Sequence, residues 1–541
     1  MSSQTTANVL SDFDICLAVT QQAINSQMVC AWDAWKRRQN FSDKVRIFKS
    51  QEVTGDINSI EDVSYGIEAT FAPLEVNLAS EQGTPSKVEV SLKILKCEIT
   101  YVDMKKLKLA TPCSVENASI TFMVDLDRQP CDLDILKAIA PNAHKVADDM
   151  IKTSGLSDDV FSIEYLFLKF SEIDLRFLEP KVVKGFDNLP GSATNVALSA
   201  LNLLIWGSLA PGTDKAGGKF ILGSVVRRNT KQPVPNFTMI DFLFDVNSNL
   251  TAPAASTLNY LGVFEGRTLP ADRGVARLKV RDHWVQPAQI DGTEGTISGV
   301  MGISKQRFMD EYLIPKFNSA INNIKGIGSD TSINVQPRIE GLKWTFSYTF
   351  AKIQALLPGV GPWVPIAGNN FRTNGTCSFE VVIEILPNSN NLSVYGKVEV
   401  NLDCGEHDWL DDFSYLYDSN IPLSGTCKII EGGENSTDLT MAAVLEHHFG
   451  SEIVTKKEKN GFGMDQVWTL NFLDKVNEVS TKAYQTVMIS LEKCLDESLK
   501  QVSIELSQHK FIPPGGGVFT FQDPIFSQAG DLIFPVIYKA P

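Results

Sequence analysis

Polar side chains are most concentrated at residues 404–408, where Cys404, Glu406 and His407 stand close together, and Asp411 and Asp412 follow. A thiolate, an imidazole and carboxylates are groups that bind metal ions. The run follows an alternating strand pattern, however, and none of the nine cysteines belongs to a C-x-x-C pair. A polar turn is therefore the favoured interpretation, and the sequence predicts no metal site.

The sequence contains no G-x-S-x-G, H-E-x-x-H or G-x-G-x-x-G motif. Residues 212–219 are similar to a phosphate-binding loop, but the spacing is one residue too long and Phe220 replaces the Ser or Thr that binds Mg²⁺. We therefore expect a protein without enzymatic activity and without a cofactor. A catalytic triad assembled from distant residues would leave no such local signature.

The composition is that of a folded, acidic protein. Hydrophobic residues make up 43% of the chain and charged residues 21%, and the net charge is −15. Because neutralising phosphates requires clustered Lys and Arg, this charge argues against nucleic-acid binding. The short basic runs at residues 36–38 and 105–108 could contact a phosphate, but solvated faces are the favoured interpretation.

The cysteines and the first residues of the chain bear on localisation. Nine dispersed cysteines without metal spacing predict mostly buried free thiols. Residues 1–11 lack the basic start and the apolar stretch of a classical secretion signal. We expect a cytoplasmic protein, or one secreted or released without a classical signal peptide.

An internal duplication is predicted to organise the chain, because the stretch around residues 14–28 recurs in outline near residues 298–312. In each copy a short apolar run, predicted as a strand, ends at a hydroxyl residue, Thr20 or Ser304, that could cap the helix after it. Chance similarity of short apolar runs is the alternative explanation. The duplication predicts a first module at residues 1–180, a connecting sheet region at 181–295 and a second module at 296–541.

Hydrophobic periodicity predicts the elements of these modules. In the first module it predicts a helix over residues 20–39, strands around 67–71, 88–94 and 120–124, a helix over 132–153, and strands at 161–170 and 173–178. In the connecting region it predicts strands at 220–226 and 237–246. In the second module it predicts a helix over 308–324 kinked at Pro315, strands at 342–350, 377–386 and 392–402, a C-terminal helix over 476–506, and strands at 518–521 and 532–538.

Two uncharged stretches have two interpretations each. Residues 193–212 fit a buried helix or strand pair, or a segment that contacts lipid, but they are too polar to span a membrane. Residues 353–371 fit a buried loop, or an exposed apolar tip. The residues predicted to contact a membrane or a partner are Leu204, Ile205, Trp206, Leu357, Val360 and Trp363.

Two segments carry a resemblance to a known family. Residues 13–19 with Ile24 and Asn25 at the start, and residues 511–519 through Leu532 at the end, resemble the tubular lipid-binding (TULIP) superfamily. Within it, the chain looks like the neurotoxin-associated OrfX and forty-seven-kilodalton proteins of clostridial toxin gene clusters and their insecticidal-toxin relatives. That family usually has a Trp beside the first Asp, where this chain has Phe13, so the subfamily stays open.

The resemblance implies an α+β fold of two tandem modules, each a long helix wrapped by a strongly bent antiparallel sheet, joined by a central sheet. It also implies an apolar groove between helix and sheet that holds a lipid or another apolar ligand. We expect six residues to line the grooves, an ordinary core role being the alternative for each: Ile24, Met28, Phe308, Tyr312, Val487 and Leu491.

Two functions follow from these expectations. The first is a non-catalytic protein that binds a lipid or another hydrophobic ligand and is associated with a bacterial toxin system, an insecticidal one being included. The second is a structural or accessory subunit of a toxin complex, without a bound lipid, that acts by protein contact or peripheral membrane contact. An open apolar cavity distinguishes the first from the second.

Overall fold

The computed structural model describes most of the chain, in segments. Isolated helical positions between 133 and 152 are also described. The described segments are residue 10, 12–38, 44–51, 63–79, 87–103, 108–131, 161–169, 183–204, 220–228, 237, 239–280, 284–290, 296–324, 333–351, 370–407, 412–431, 441–447, 453–460, 481–482, 484–502, 510–512, 518–522 and 524–539.

The chain divides into two compact units. The first, here the amino unit, comprises Leu10–Gly302, Glu505–Gln522 and Pro535–Pro541. The second, here the carboxyl unit, contains Ile303–Ile504 and Asp523–Phe534. The predicted module boundaries at residues 180 and 295 stay predictions.

The amino unit contains a nine-stranded antiparallel sheet. In Lys87–Thr100, Val88, Val90 and Leu92 are buried while the residues between them are not, which is the alternation predicted for a half-buried strand. In spatial order its main strands are Val45–Gln51, Val63–Phe71, Lys87–Thr100, Cys113–Cys131, Phe161–Lys169, Phe220–Arg228 and Lys510–Ile512, with Glu75–Asn77 and Val183–Lys184 paired to the third and fourth. A separate two-stranded ribbon pairs Val102–Asp103 with Lys108–Leu109.

A second, seven-stranded sheet brings together strands from the start, middle and end of the chain. Thr257–Phe264 is buried at every position, as expected for a strand covered on both faces. Ile15–Thr20 and Met239–Asn247 both pair with it antiparallel. The spatial order is Met239–Asn247, Thr257–Phe264, Ile15–Thr20, Gly299–Ile303, Leu532–Lys539 and Val518–Phe521, with Ile525–Phe526 paired to Leu532–Lys539.

The carboxyl unit contains a seven-stranded antiparallel sheet. Its buried face carries large apolar side chains, among them Trp344 and Phe346, which face Ile383 and Val381 on the neighbouring strand. The strands in spatial order are Arg338–Glu340, Lys343–Ala351, Asn370–Ile385, Asn391–His407, Asp412–Glu431 and Met441–His447, with Ile453–Asn460 also paired to Asp412–Glu431.

The described helices are few. In the amino unit they are Gln21–Arg38, Gly191–Leu204 and Arg273–Lys279, with short 3₁₀ turns at Pro253–Ala255 and Pro287–Gln289. Every described residue between 133 and 152 is also helical. In the carboxyl unit they are a π-helix at Gln306–Leu313, an α-helix at Ile314–Asn322, and the C-terminal helix, described at residues 481–482 and 484–502.

The α+β class with antiparallel sheets is confirmed. The first predicted helix, at residues 20–39, is Gln21–Arg38 in the structure. The helix at Gly191–Leu204 has six buried apolar residues, so the buried interpretation of that stretch is confirmed for its described part. The predicted strand at 173–178 and the loop at 353–371, apart from its last two residues, lie outside the described residues.

The predicted break at Pro315 takes a form that the sequence did not indicate. The backbone N–H of Ile314 donates to the carbonyl of Met309, five residues earlier, so the wide π-helical turns end immediately before the proline. Pro315 is the second residue of the α-helix that follows. A proline is tolerated there because the first turn of an α-helix needs no N–H donor for its own hydrogen bonds. The proline thus marks a change from π- to α-helix.

Gly396 is required by the sheet of the carboxyl unit. Its φ is 151°, and a Cβ there would lie 1.9 Å from the carbonyl oxygen of Glu380 on the paired strand. Gly341, in a nearby turn, has φ 63° and nothing within 4 Å of such a Cβ. Gly396→Ala combines backbone strain with a collision, whereas Gly341→Ala has strain alone.

We predict that Gly396→Ala lowers the free energy of unfolding by about 3 kcal/mol or more and Gly341→Ala by only about 1 kcal/mol. Urea unfolding of the two variants beside the wild type measures the difference. Equal losses in the two variants would contradict the close approach at Gly396.

Candidate functional site

The two copies of the strand-to-helix junction share one capping contact. In the amino unit Thr20 Oγ1 accepts a hydrogen bond from the backbone N–H of Ala23 at 3.2 Å. In the carboxyl unit Ser304 Oγ accepts one from the N–H of Arg307 at 3.3 Å. Each hydroxyl satisfies a donor that the first helical turn leaves without an intrahelical partner. The predicted caps and the shared strand-then-helix register are confirmed.

The six residues predicted to line grooves are all buried, but they fall into two sets. Ile24 and Met28 belong to the amino unit, and Phe308, Tyr312, Val487 and Leu491 to the carboxyl unit. Burial fits both a groove and an ordinary core, so groove lining stays a prediction.

In the amino unit the N-terminal helix is tied to a strand by polar side chains. The amide of Asn25 donates to the carbonyl of Val76 at 2.9 Å and accepts from the N–H of Val76 at 2.8 Å. Gln21 Oε1 accepts from the N–H of Leu78 at 2.6 Å. The helix therefore satisfies backbone groups of the short strand Glu75–Asn77 and of the residue after it. These bonds fix the rotation of the helix that buries Ile24 and Met28.

In the carboxyl unit two helices meet along a line that we call the helix seam, defined by Tyr312 and Lys316 on one helix and Cys494, Ser498 and Gln501 on the other. Tyr312 Oη donates to the backbone carbonyl of Ser498 at 2.9 Å. Lys316 Nζ donates to Gln501 Oε1 at 3.0 Å and lies 4.9 Å from the centroid of the Tyr312 ring. The seam thus has a polar section at which both helices are hydrogen-bonded.

The apolar residues continue this line on each helix. Phe308 lies four residues before Tyr312, and Leu491 and Val487 lie seven and eleven residues before Ser498, so each set shares a face with the seam. All three are buried, as are Tyr484, Met488, Leu495 and Leu499 beside them. The predicted wide apolar arc of the C-terminal helix is confirmed over its described length.

Contacts at the start of the π-helix fix its position on the sheet. The backbone N–H of Lys305 donates to Asp531 Oδ1 at 2.7 Å. Asp310 accepts from Trp344 Nε1 at 3.0 Å and pairs with Lys305 at 3.1 Å. The Phe308 ring lies 6.5 Å from that of Phe526. These contacts therefore fix the position of the helix that carries the predicted groove residues Phe308 and Tyr312.

Sequence reasoning missed part of the polar section of the seam. Tyr312 was predicted to line a groove, but Lys316 was not singled out, although its four-residue spacing from Tyr312 places the two on one face. Gln501 gave no signal, because its bond to Lys316 joins residues 185 apart in the chain. Arg307, which is 3% exposed and paired with Glu311 at 2.8 Å, was also missed.

Of the six residues predicted to contact a membrane or a partner, the structure describes only Leu204. Leu204 is buried in the helix Gly191–Leu204. Ile205, Trp206, Leu357, Val360 and Trp363 lie outside the described residues, and their contacts stay predictions. Among the residues that the structure describes, no helix is long and apolar enough to cross a membrane.

The polar run at residues 404–408 ends a strand of the carboxyl unit. Residues 404–407 belong to Asn391–His407, and backbone pairing places His407 opposite Asp412. Asp408 and Asp411 lie outside the described residues. Within the described part of the chain, no group of three His, Cys, Asp or Glu side chains is arranged to hold a metal ion.

Several cysteine thiols are poor nucleophiles at neutral pH. Burial raises the pKa of Cys377 and of Cys427 to about 12. Burial also raises the pKa of Cys494 in the helix seam, against the opposing effects of Ser498 and Lys316. Because the thiolate is the reactive form, these side chains fit structural rather than catalytic roles.

Comparisons with known proteins give little. No protein-family model matches the chain, and no curated protein matches it. Among solved structures, the chain is similar to a crystal structure described as lipopolysaccharide binding protein, with 12% sequence identity over 98% of this chain and 99% of that chain, and a TM-score of 0.29. A TM-score this low carries no argument about fold or function.

We predict that Leu491→Ala lowers the free energy of unfolding by about 3 kcal/mol, because it removes a buried side chain of the C-terminal helix. Ile489, which has the same size and lies on the same helix, is 62% exposed. Ile489→Ala should change the free energy of unfolding by less than about 0.5 kcal/mol. Chemical denaturation of both variants tests the orientation of the helix, and similar losses would show it to be wrong.

We predict that iodoacetamide at pH 8 labels the partly exposed Cys30 in the native protein and leaves Cys377 and Cys427 unlabelled until urea unfolds it. The pKa of each buried thiol is higher in the folded than in the unfolded state, so their contribution to stability is complete below about pH 8.5 and decreases as the pH rises toward 12. Mass spectrometry of the labelled peptides measures the protection. Labelling of Cys377 as fast as Cys30 would contradict it.

Proposed function

We propose that this protein is a non-catalytic binder of a lipid or another apolar ligand, and that the ligand lies along the helix seam of the carboxyl unit. The observation that carries the proposal is the arrangement of the seam. Apolar side chains follow each helix toward a single polar section at Tyr312 and Lys316. Ligand sites are commonly of this kind, mostly apolar with a small number of placed polar groups.

The polar section lies close to solvent, which gives a ligand a route to the seam. Gln501 is exposed and Lys316 is partly exposed, whereas Tyr312 and Ser498 are buried. A lipid whose head group stays at the exposed residues could place its acyl chain along the buried ones. The chain would replace contacts between apolar side chains with contacts between those side chains and the lipid, which are also apolar. We infer that Phe308, Val487 and Leu491 line the path of the chain.

The duplicated junction supports a second, equivalent site in the amino unit. Ile24 and Met28 occupy the positions that Phe308 and Tyr312 occupy in the other copy, and all four are buried. The amino unit has no hydroxyl at the position of Tyr312, because Met28 stands there. We propose that this second groove, if filled, takes a wholly apolar group.

A narrower assignment rests on the resemblance of both ends of the chain to the TULIP superfamily. We propose on that basis that the protein belongs among the TULIP proteins of OrfX type and is associated with a bacterial toxin system, an insecticidal one being included. The second candidate function is a structural or accessory subunit of a toxin complex, acting by protein contact or peripheral membrane contact without a bound lipid. Localisation in the cytoplasm, or release without a classical signal peptide, is part of the same proposal.

Native mass spectrometry of the purified full-length protein tests the proposal. We expect a bound ligand in stoichiometric amount, identified by organic extraction and lipid analysis. Leu491→Phe should reduce the bound fraction several-fold, because a larger side chain occupies the path of the ligand. Ile489→Phe, at an exposed position of the same helix, is the matched control and should retain the ligand.

Ligand-free protein that also fails to take up fatty acid or phospholipid would overturn the lipid-binding proposal. The accessory-subunit proposal then gains support if the protein forms a complex with products of neighbouring genes during gel filtration. A bound lipid that both phenylalanine variants retain would place the ligand outside the helix seam.

A further inference from the structure

Lys316 differs in its surroundings from the described lysines of the carboxyl unit that pair with a carboxylate. Five described lysines of this unit lie within 4 Å of a carboxylate: the pairs are Lys305–Asp310, Lys343–Glu384, Lys397–Glu399, Lys493–Glu497 and Lys500–Asp496. Within the described part of the chain, Lys316 has no carboxylate at that distance. Its contacts are the neutral amide of Gln501 and the ring of Tyr312.

Among the described residues, the ammonium group therefore has no carboxylate partner at the partly exposed end of the helix seam. The bond to Gln501 uses one of its three N–H donors. The Tyr312 ring lies against it at 4.9 Å, and the Tyr312 hydroxyl is bonded to the carbonyl of Ser498, which fixes the ring. The positive charge is thus held in place by neutral groups, at the end of a line of buried apolar side chains.

The negative charge of the rest of the protein affects which ligands gain from binding at Lys316. The net charge of the chain is −15, so a free anion gains little from the overall field and is drawn to a local cation only at short range. Glu497, which contributes to the environment of Cys494, is paired with Lys493 at 3.9 Å. A ligand that combines an anionic group with an apolar chain gains from both parts of the seam, whereas a small anion gains from one.

We propose that Lys316, supported by Gln501 and Tyr312, binds the anionic head group of a single-chain or double-chain lipid, a carboxylate or a phosphate, whose acyl chain lies along Phe308, Leu491 and Val487. This inference rests on the lipid-binding function proposed above and names the class of lipid. The head group takes an N–H donor of Lys316 that Gln501 does not use. A neutral lipid with the same chain can accept that hydrogen bond only through an uncharged oxygen, which makes it weaker.

Binding of three probes that share one acyl chain tests the inference: oleate, oleoyl lysophosphatidate and the neutral monoolein. Isothermal titration on the full-length, delipidated protein below the micelle concentration of each probe gives the affinities. We expect at least one anionic probe to bind about 5-fold more tightly than monoolein, in line with one partly exposed charge interaction. Which anionic probe shows the preference distinguishes a carboxylate from a phosphate head group.

Three variants separate the head-group site from other effects. Lys316→Gln should remove the preference for the anionic probe and leave the affinity for monoolein unchanged. Lys316→Arg keeps the charge and should retain the preference. Lys493→Gln removes the same charge from an exposed position of the C-terminal helix, 74% exposed in its side chain, and should bind all probes as the wild type does.

Equal binding of an anionic probe by the wild type and Lys316→Gln would overturn the head-group site, even if all probes bind. Tighter binding of monoolein than of both anionic probes would overturn it as well, and in both cases the lipid-binding function stands. If none of the probes binds, the lipid-binding function fails and the head-group site fails with it.

Discussion

Both units depend on the junction at which a buried strand becomes a helix. The strand's last residue is fully buried or nearly so, and the first turn of the following helix leaves N–H groups without intrahelical partners. Thr20 and Ser304 meet this constraint with a hydroxyl that belongs to the chain at the junction itself. Because the donor is satisfied locally, the helix can turn its apolar arc into the core from its first residues onward.

The direction in which each helix leaves its junction is then fixed by more distant contacts, and these differ between the copies. In the amino unit Asn25 and Gln21 bond to backbone groups at Val76 and Leu78. In the carboxyl unit Asp531 receives the N–H of Lys305, and Asp310 receives Trp344. Side-chain amides hold the helix of the first copy, and side-chain carboxylates hold that of the second. The same capped junction is therefore combined with different hydrogen bonds in the two units.

The elements whose signal is local could be predicted from the sequence. The capped junctions, the alternating stretch at residues 88–94 and the arc of the C-terminal helix follow from side-chain type and period, and the structure has them, the strand extending over Lys87–Thr100. The π-helix could not be predicted, because an apolar pattern over eight residues does not distinguish a wide helical turn from an ordinary one.

The candidate site was predictable in its apolar part only. Phe308 and Leu491 are marked by hydrophobic period, but the bond between Lys316 and Gln501 is a consequence of how two helices pack, and neither residue carries that information alone. The six predicted lining residues also divide between the two units. The predicted duplication implied one groove in each module, but the six residues were predicted together, without a statement of which groove each belongs to.

The π-helix at Gln306–Leu313 limits how far the predicted duplication can be followed along the two helices. A helix with bonds between residues five apart turns less per residue than an α-helix, so residues after Leu313 face directions that their counterparts after Val29 do not. An ancestral pair of identical segments could therefore stay aligned from the strand to Tyr312 and lose correspondence beyond it. The aligned stretch that ends at Met28 and Tyr312 stops one residue before the π-helix ends at Leu313, and Lys316 lies three residues beyond that end.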